Sequence, residues 1–393
     1  MKLFAAATCL AGVAEAHTLF TTLHIDGNNQ GDGTCVRQPE DPGTATAPIY
    51  PLNGDNMACG RQGEKSVPFV CPAKGGSTLT FEFREWPAAD QPGSINKGHK
   101  GPCNVYMKKM NDVLTDPAAG DGWFKIWEDG YNVKADEWCV DTLIKNNGLL
   151  SVDLPTGLPP GEYLIRPELI ALHNTTKGNP QFYHSCAQIF IDNGPDTELE
   201  IPAEFEVSIP GYLSTDDPGL TYNLYRDELS AYSIQGPPVF VPTLAEGASS
   251  VTKKQEHGAI PNTCLVKNAN WCAMPIKSFS DEEGCWNGVT ACWNQGDECW
   301  DSVPPSGYAN CEVWSTYCKS MEKAFKGDDE AGQTPGTESP ALKISEDGRC
   351  GGSTGQTCQG SSFGDCCSKK GRCGRKTKHC ACGCQSDFGD CRA

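Results

Sequence analysis

The residue best placed to do chemistry in this chain is His17. Residues 1–16 read as a secretory signal: Lys2 supplies the positive end, the stretch from Leu3 to Val13 is short and apolar, and Ala14-Glu15-Ala16 is a small-x-small cleavage site. Cutting there makes His17 the first residue of the mature chain, with a free amine and an imidazole nitrogen close enough to chelate one metal ion. A metal that prefers nitrogen ligands in a flat arrangement needs a third nitrogen, and the chain has seven histidines to supply it. His99 is the best candidate, because Gly98 and Gly101 flank it in a loop that can expose an imidazole. Further on, Gln181 and Tyr183 stand two residues apart and so share one face of a strand, while Cys186 falls on the opposite face, where it can be buried.

Composition restricts the setting. Nothing after residue 16 approaches the roughly 20 apolar residues of a membrane-spanning helix, so a soluble, secreted, extracellular protein is expected. The 22 cysteines after Cys9 favour an oxidising compartment. A net charge of -18 argues against nucleic acid or anionic membrane as partners and suits a neutral polysaccharide. Asn174-Thr175-Thr176 is the one Asn-x-Ser/Thr sequon, which marks Asn174 for glycosylation.

The candidate ligands need a scaffold, and from His17 to about Pro242 the chain has the pattern of strands. Thr78-Leu79-Thr80-Phe81-Glu82-Phe83, Leu149-Leu150-Ser151-Val152-Asp153-Leu154 and Ala187-Gln188-Ile189-Phe190-Ile191 are short and rich in β-formers, punctuated by Pro159-Pro160-Gly161 and Asn193-Gly194-Pro195. The expected fold class is mainly β, with an antiparallel immunoglobulin/fibronectin-like β-sandwich over residues 17–242. Cysteines divide the chain further: six lie between Cys35 and Cys186, seven between Cys264 and Cys318, and nine between Cys350 and Cys391. Residues 243–257 are polar and read as a linker.

Over 258–325, Cys285-Trp286, Cys292-Trp293 and Cys299-Trp300 recur at a spacing of seven, which returns side chains to the same helical face. Cys311 and Cys318 repeat that spacing beyond Pro304-Pro305-Ser306-Gly307. An antiparallel α-hairpin turning there pairs Cys299 with Cys311 and Cys292 with Cys318, with the tryptophans as its core. Residues 326–346 read as a second linker. Residues 347–393 form a cysteine knot too small to fold without its bridges.

A family resemblance runs along the first of these regions. Its residues are His17, His99-Lys100-Gly101-Pro102, Trp123-Phe124-Lys125-Ile126-Trp127, Leu143-Ile144-Lys145-Asn146-Asn147-Gly148 and Pro160-Gly161-Glu162-Tyr163-Leu164-Ile165-Arg166. Ile170-Ala171-Leu172-His173, Gln181-Phe182-Tyr183-His184-Ser185-Cys186-Ala187-Gln188 and Asp217-Pro218-Gly219 follow in the same order. The chain from His17 to about residue 242 resembles a fungal lytic polysaccharide monooxygenase of auxiliary activity family 9, formerly a glycoside hydrolase family.

The resemblance implies one copper ion, held by the amine and side chain of His17 and a ring nitrogen of His99 in a T-shaped set, with Tyr183 in the axial position. Nitrogen donors in a tetragonal field suit copper better than zinc or magnesium. His173 and Gln181 are implied to form the outer shell, giving hydrogen bonds beside the ion and steering protonation. The implied reaction takes an electron from a donor such as cellobiose dehydrogenase or a small phenol. It uses dioxygen or hydrogen peroxide to oxidise C1 or C4 of a β-1,4-glucan, cellulose foremost, and it needs no paired carboxylates. A monomer is expected.

Tyr212 lies where the family carries an aromatic ring for sugar faces. Cys59 and Cys186 match a family disulfide, which leaves three possible pairings for Cys35, Cys71, Cys103 and Cys139. Rival readings are oxidation of xyloglucan, another hemicellulose or chitin, and a non-catalytic copper or polysaccharide binder; the presence of His173 and Gln181 argues against the latter.

The order Cys350, Cys358, Cys366-Cys367-Ser368, Gly371, Cys373-Gly374, Cys380, Cys384, Cys391 resembles the hevein-type chitin-binding module of carbohydrate-binding family 18. In that module a serine works with three aromatic rings. Ser368 matches the serine, but Lys370, Arg372 and His379 occupy the ring positions, which weakens the case for chitin; the basic patch suits either an anionic cell-wall polymer or simply a solvated face. Cys382 is extra to the pattern, and a bridge from it to the odd-numbered middle group is expected.

Overall fold

The computed structural model describes residues 17–244, 249–277, 282–325, 342–352, 354–380 and 384–390. The expected signal at 1–16, most of the second linker and Cys382 lie outside them.

β1 (Leu19–Ile25) turns through Asp26-Gly27 into β2 (Asn28–Asp32). After a loop carrying α1 (Asn56–Cys59) come β3 (Cys71–Ala73), β4 (Thr78–Arg84), β5 (Cys103–Met110) and β6 (Gly120–Asp129). A short hairpin, β7 (Tyr131–Asn132) and β8 (Glu137–Trp138), leads into α2 (Cys139–Lys145). β9 (Leu149–Asp153), β10 (Gly161–Ala171), β11 (Gln181–His184), β12 (Ala187–Ile191), β13 (Asn193–Pro195) and β14 (Glu206–Ile209) follow. One sheet runs β2-β1-β4-β9, and the other runs β14-β6-β5-β10-β12-β3 with β11 also pairing β10. The fold is the expected β-sandwich.

Side-chain alternation explains the layering. In β4 the sequence TLTFEFR buries Leu79, Phe81 and Phe83 and leaves its other residues half-buried, as a strand with one face on the core must. These rings meet Val105, Met107, Tyr163, Ile165 and Ile189 between the sheets. β10 is buried along both faces: Tyr163, Ile165 and Leu169 enter the inter-sheet core, while Leu164 and Ile170 enter a second cluster with Trp123, Trp138 and Phe182. Loops and α1 cover that outer face, so β10 is the central strand of a thick region. Cys35–Cys71 and Cys103–Cys139 decide the open pairings.

The stretch read as the first linker is laid against the sandwich. β15 (Ser250–Thr252) pairs antiparallel with β13, and Val70 N donates to the Gly258 carbonyl. Its polar composition satisfies an edge strand, whose outer side faces water.

The middle segment contains the hairpin β16 (Val266–Asn268) and β17 (Trp271–Ala273), then α3 (Glu282–Asp301) and α4 (Ala309–Phe325). Cys292–Cys318 and Cys299–Cys311 join the helices, and Cys264–Cys272 closes the hairpin. The tryptophans of the Cys-Trp pairs do not form the core: Trp286 and Trp300 are exposed, and Trp293 is partly buried. Neighbouring helix residues point about 100° apart, so a cysteine aimed at the partner helix turns the next side chain away from it. Trp314 and Trp271 fill the core instead, with Trp314 Nε1 donating to the Cys292 carbonyl (2.9 Å). Among the described residues no helix is long and apolar enough to cross a membrane.

This segment docks on the sandwich. Asn270 accepts from Cys35 N (2.9 Å) and donates to the Gly33 carbonyl (2.8 Å), and Ser306 Oγ donates to Gln38 (2.9 Å). Lys267 is buried in the same contact, where Nζ donates to the Gln30 carbonyl at 2.5 Å without a carboxylate partner among the described residues. Burial pushes its ammonium down to about 7. An amine that loses its proton more readily when folded penalises the fold fully below about pH 7, and progressively less as pH rises toward the ordinary lysine value of 10.5. Lys267→Met should therefore raise the thermal midpoint by roughly 3 °C or more at pH 6, with the gain shrinking toward pH 10 in scanning calorimetry. Equal gains at both pH values would contradict the assignment.

Candidate functional site

The central strand gathers the candidate residues. Ahead of β5 and along the end of β10, Ile170 N donates to the Pro102 carbonyl (3.1 Å) and Leu172 N to the Lys100 carbonyl (2.9 Å), which continues the pairing of those strands into the His99 loop. Gly101 lies between these bonds, and a Cβ there would overlap the Ile170 carbonyl oxygen, so glycine is required by the close approach. Asn96 shapes the loop: its side-chain oxygen accepts from Gly98 N (2.8 Å) and its carbonyl from His99 N (2.9 Å). His99 is thereby buried, with its ring centroid 4.2 Å from that of His173 and 6.0 Å from that of Tyr183.

On the other side of the same strand, β11 pairs Ala171 with Gln181 and Leu169 with Tyr183. Both β11 residues project on one face, and the Tyr183 hydroxyl donates to Gln181 Oε1 (2.8 Å). The disulfide Cys59–Cys186 fastens α1 just beyond this strand, with both cysteines buried. His17 directly precedes β1, which packs against β11. Thr18 N donates to the Thr46 carbonyl (3.1 Å), and Thr18 Oγ1 to that of Ser94 (2.6 Å), in the loop that leads to His99.

His173 is held neutral: burial lowers its pKa, and the Lys177 charge lowers it further. The Asn174 amide nitrogen lies 2.9 Å from His173 Nε2, and an amide nitrogen can only donate. With the amide in this orientation the imidazole proton sits on Nδ1, a buried atom with no hydrogen-bond partner among the described residues. The sequon asparagine thus adjoins the histidine pair.

Beneath the site lies a polar cluster that the sequence pattern did not reveal. Arg166 and Glu168, both buried on the outer face of β10, pair at 2.6 Å. Asn104 Nδ2 donates to Glu168 (3.0 Å), and the Tyr212 hydroxyl donates to it (2.7 Å). Arg166 holds the Glu168 carboxyl below its ordinary pKa against the effect of burial. His184 is pushed down to about 3 by burial and then by Arg166, so it is neutral and donates through Nε2 to the Asn56 carbonyl (3.1 Å). The signal available in the sequence was two opposite charges two residues apart within an apolar strand.

Two expected contact residues are corrected. Tyr212 does not stand out as a surface platform: it is half-buried, its hydroxyl donates into the Glu168 cluster, and its ring stands edge-on to Tyr106 at 5.6 Å. Ser368 is buried, and its Oγ accepts from Arg372 N (3.1 Å), so it closes a turn. The rings open to solvent are others. Tyr225 is 70% exposed, Trp86 54% and Tyr50 39%. Each stands on a loop tied to the site: the Tyr222 carbonyl accepts from Thr175 Oγ1 near His173, the Arg84 carbonyl lies 3.3 Å from Thr18 Oγ1, and Ile49 bridges Phe182.

Comparison with known proteins gives the family. Residues 17–232 match Auxiliary Activity family 9 (formerly GH61). The AA9 family lytic polysaccharide monooxygenase H of Botryotinia fuckeliana (strain B05.10) is 41% identical, over 96% of this chain and 96% of its own. The AA9 family lytic polysaccharide monooxygenase C of Aspergillus tamarii is 45% identical over 81% of this chain and 88% of its own. The solved structure "CvAA9A" matches with a TM-score of 0.50 and 30% identity, over 58% of this chain and 99% of that one. The chain belongs to auxiliary activity family 9, the lytic polysaccharide monooxygenases. Oxidative cleavage of a polysaccharide is its class of reaction.

The Tyr212 correction is testable. Tyr212→Phe removes one of the two hydrogen bonds to Glu168 Oε2, leaving that of Arg166, and should cost about 1–3 kcal/mol in chemical unfolding, while retention on cellulose stays unchanged. Weakened retention with unaltered stability would restore Tyr212 to the substrate face.

Proposed function

We propose that this is a secreted, copper-dependent monooxygenase that cleaves β-1,4-glucan, cellulose foremost, at C1 and/or C4. The observation that carries the reading is the gathering of His99, His173, Tyr183 and Gln181 around the end of β10, beside the strand that begins after His17. An amine, imidazoles and a phenol are donors that copper accepts in a tetragonal arrangement. The unpartnered His173 Nδ1 fits an outer shell that has a hydrogen bond left to give.

His17, through its amine and ring, and His99 would hold the ion, with the Tyr183 phenol beside them. An α-amino group with a pKa of about 7.7–8.0 gives up its proton readily for this. When bound, copper supplies one-electron redox chemistry with dioxygen or hydrogen peroxide, driven by an external donor such as cellobiose dehydrogenase or a small phenol. Tyr183 fixes the Gln181 amide through the 2.8 Å hydrogen bond, and Asn174 fixes the His173 tautomer, so both outer residues present set donors and acceptors. Trp86, Tyr50 and Tyr225 meet the sugar faces of an extended chain. Residues 17–242 carry the reaction, 258–325 brace the sandwich, and 347–393 form a separate recognition module. Residues 1–16 are removed on export.

The test is product analysis by mass spectrometry on cellulose, xyloglucan and chitin, with and without ascorbate. Oxidised oligosaccharides should come from cellulose and only with reductant. Gln181→Ala should lower their yield about 10–100-fold at full copper loading, whereas Tyr225→Ala should weaken cellulose retention about 2- to 10-fold. Full copper loading with no oxidised product on any polymer would instead support a non-catalytic binder.

A further inference from the structure

The C-terminal module carries a cationic cleft. Its framework is the hairpin of β20 (Cys366–Cys367) and β21 (Cys373–Gly374), preceded by β18 (Lys343–Ile344) and β19 (Gln356–Thr357). Cys350–Cys367, Cys358–Cys373 and Cys366–Cys380 lock it. Beside the hairpin lies a cavity of about 360 Å³ lined by Ser362, Phe363, Gly374, Arg375, Lys376 and His379. That size lies in the lower range of small-ligand pockets.

Three features of this cleft define what it can bind. Phe363 is 48% exposed, and its ring packs against Gly348, where a Cβ would come within 3.2 Å of it. The ring is therefore backed by Gly348 on one side and open to solvent over about half of its surface. The His379 ring lies so close over Gly374 that no Cβ fits there, which makes it a rigid wall. Arg375 and Lys376 supply positive charge, and Lys369, Lys370 and Arg372 stand on the same hairpin and its turn. None of these five cations has an ion-pair partner among the described residues. Residues 369–378 contain six of the 32 lysines and arginines and no acid, in a chain of net charge -18. The module's nearby acids are engaged elsewhere, Asp365 by Gly360 N (3.3 Å) and Asp390 by Gln359 (2.9 Å).

From this geometry we infer that the cleft binds a carboxylated polysaccharide, a polymer of uronic acid units. A pyranose stacks its C–H face on Phe363. Its carboxylate meets the Arg375 guanidinium in the two-pronged geometry that lysine alone cannot give. Successive carboxylates along the polymer then reach Lys376 and the lysines of the hairpin turn. A neutral acetylated sugar would lack a partner for these cations and would meet one ring only. A nucleic acid would satisfy the charges without needing an isolated ring beside a sugar-sized cleft. The family's action on polysaccharides favours the sugar.

The experiment is affinity electrophoresis of the full-length protein through gels containing polygalacturonate, fully methyl-esterified pectin, soluble chitin oligomers or single-stranded DNA, at two salt concentrations. Retardation should be strongest with polygalacturonate, absent with its esterified form, and reduced at high salt. Arg375→Gln should weaken it at least 10-fold and Phe363→Ala at least 5-fold, with cellulose oxidation unchanged in both. Circular dichroism and thiol titration of each variant check that the bridged fold is intact, and Lys376→Gln provides a second, non-aromatic test of the charge requirement. Equal retardation by esterified pectin, stronger binding to DNA, or no loss with Phe363→Ala and Arg375→Gln in intact protein would each overturn the inference.

Discussion

Gly101 runs so close to the Ile170 carbonyl that no side chain fits between them, and that contact sets the position of His99. The residues proposed for metal chemistry come from positions 17, 99, 173, 181 and 183, and none of them is held by a regular element of its own except the pair on β11. β10 supplies what is missing. Its end takes the His99 loop along one edge and β11 along the other, then continues directly into Leu172-His173. The 4.2 Å separation of the histidine rings is thus a consequence of strand pairing, which is stiff, and does not depend on loop conformation alone.

The Arg166–Glu168 pair belongs to the same logic. Both charges are withdrawn from water inside a strand that otherwise buries apolar residues, so the pair adds little net stability over a packed apolar alternative. It does fix direction: Glu168 can be satisfied only when Arg166, Asn104 and Tyr212 converge on it, which pins β5, β10 and the 210–212 loop in one register. Tyr212 therefore supports the site from below, and the exposed rings that flank the site come from three loops distant in sequence.

Alternation in β4 and β9 makes the sandwich legible in the amino-acid sequence, because one-sided burial writes itself into every second residue. The cysteine spacing of the helical hairpin is legible for a similar reason, since two disulfides on one helical face impose a period. His99, Gln181 and Tyr183 stand out through local chemistry. What the residue pattern hides is anything decided by distant contact: the direction of Tyr212, the burial of Ser368 within its own turn, the two charges inside β10, and the docking of Lys267 against Gln30. The polar stretch after Pro242 misleads for the same reason, because an edge strand beside β13 needs no apolar pattern. The tryptophan placement fails because a residue adjacent to an inward cysteine does not itself point inward.

The proposed copper chemistry would require the amine of His17 to act as a ligand together with its own ring and His99. The most direct measurement is electron paramagnetic resonance of the copper-loaded protein, compared between a chain that begins at His17 and one that carries a single extra alanine ahead of it. The first should give an axial, nitrogen-rich copper signal at one equivalent of metal, and the second should lose that signal and bind copper at least 100-fold more weakly. Identical spectra and affinities for the two chains would contradict the central claim.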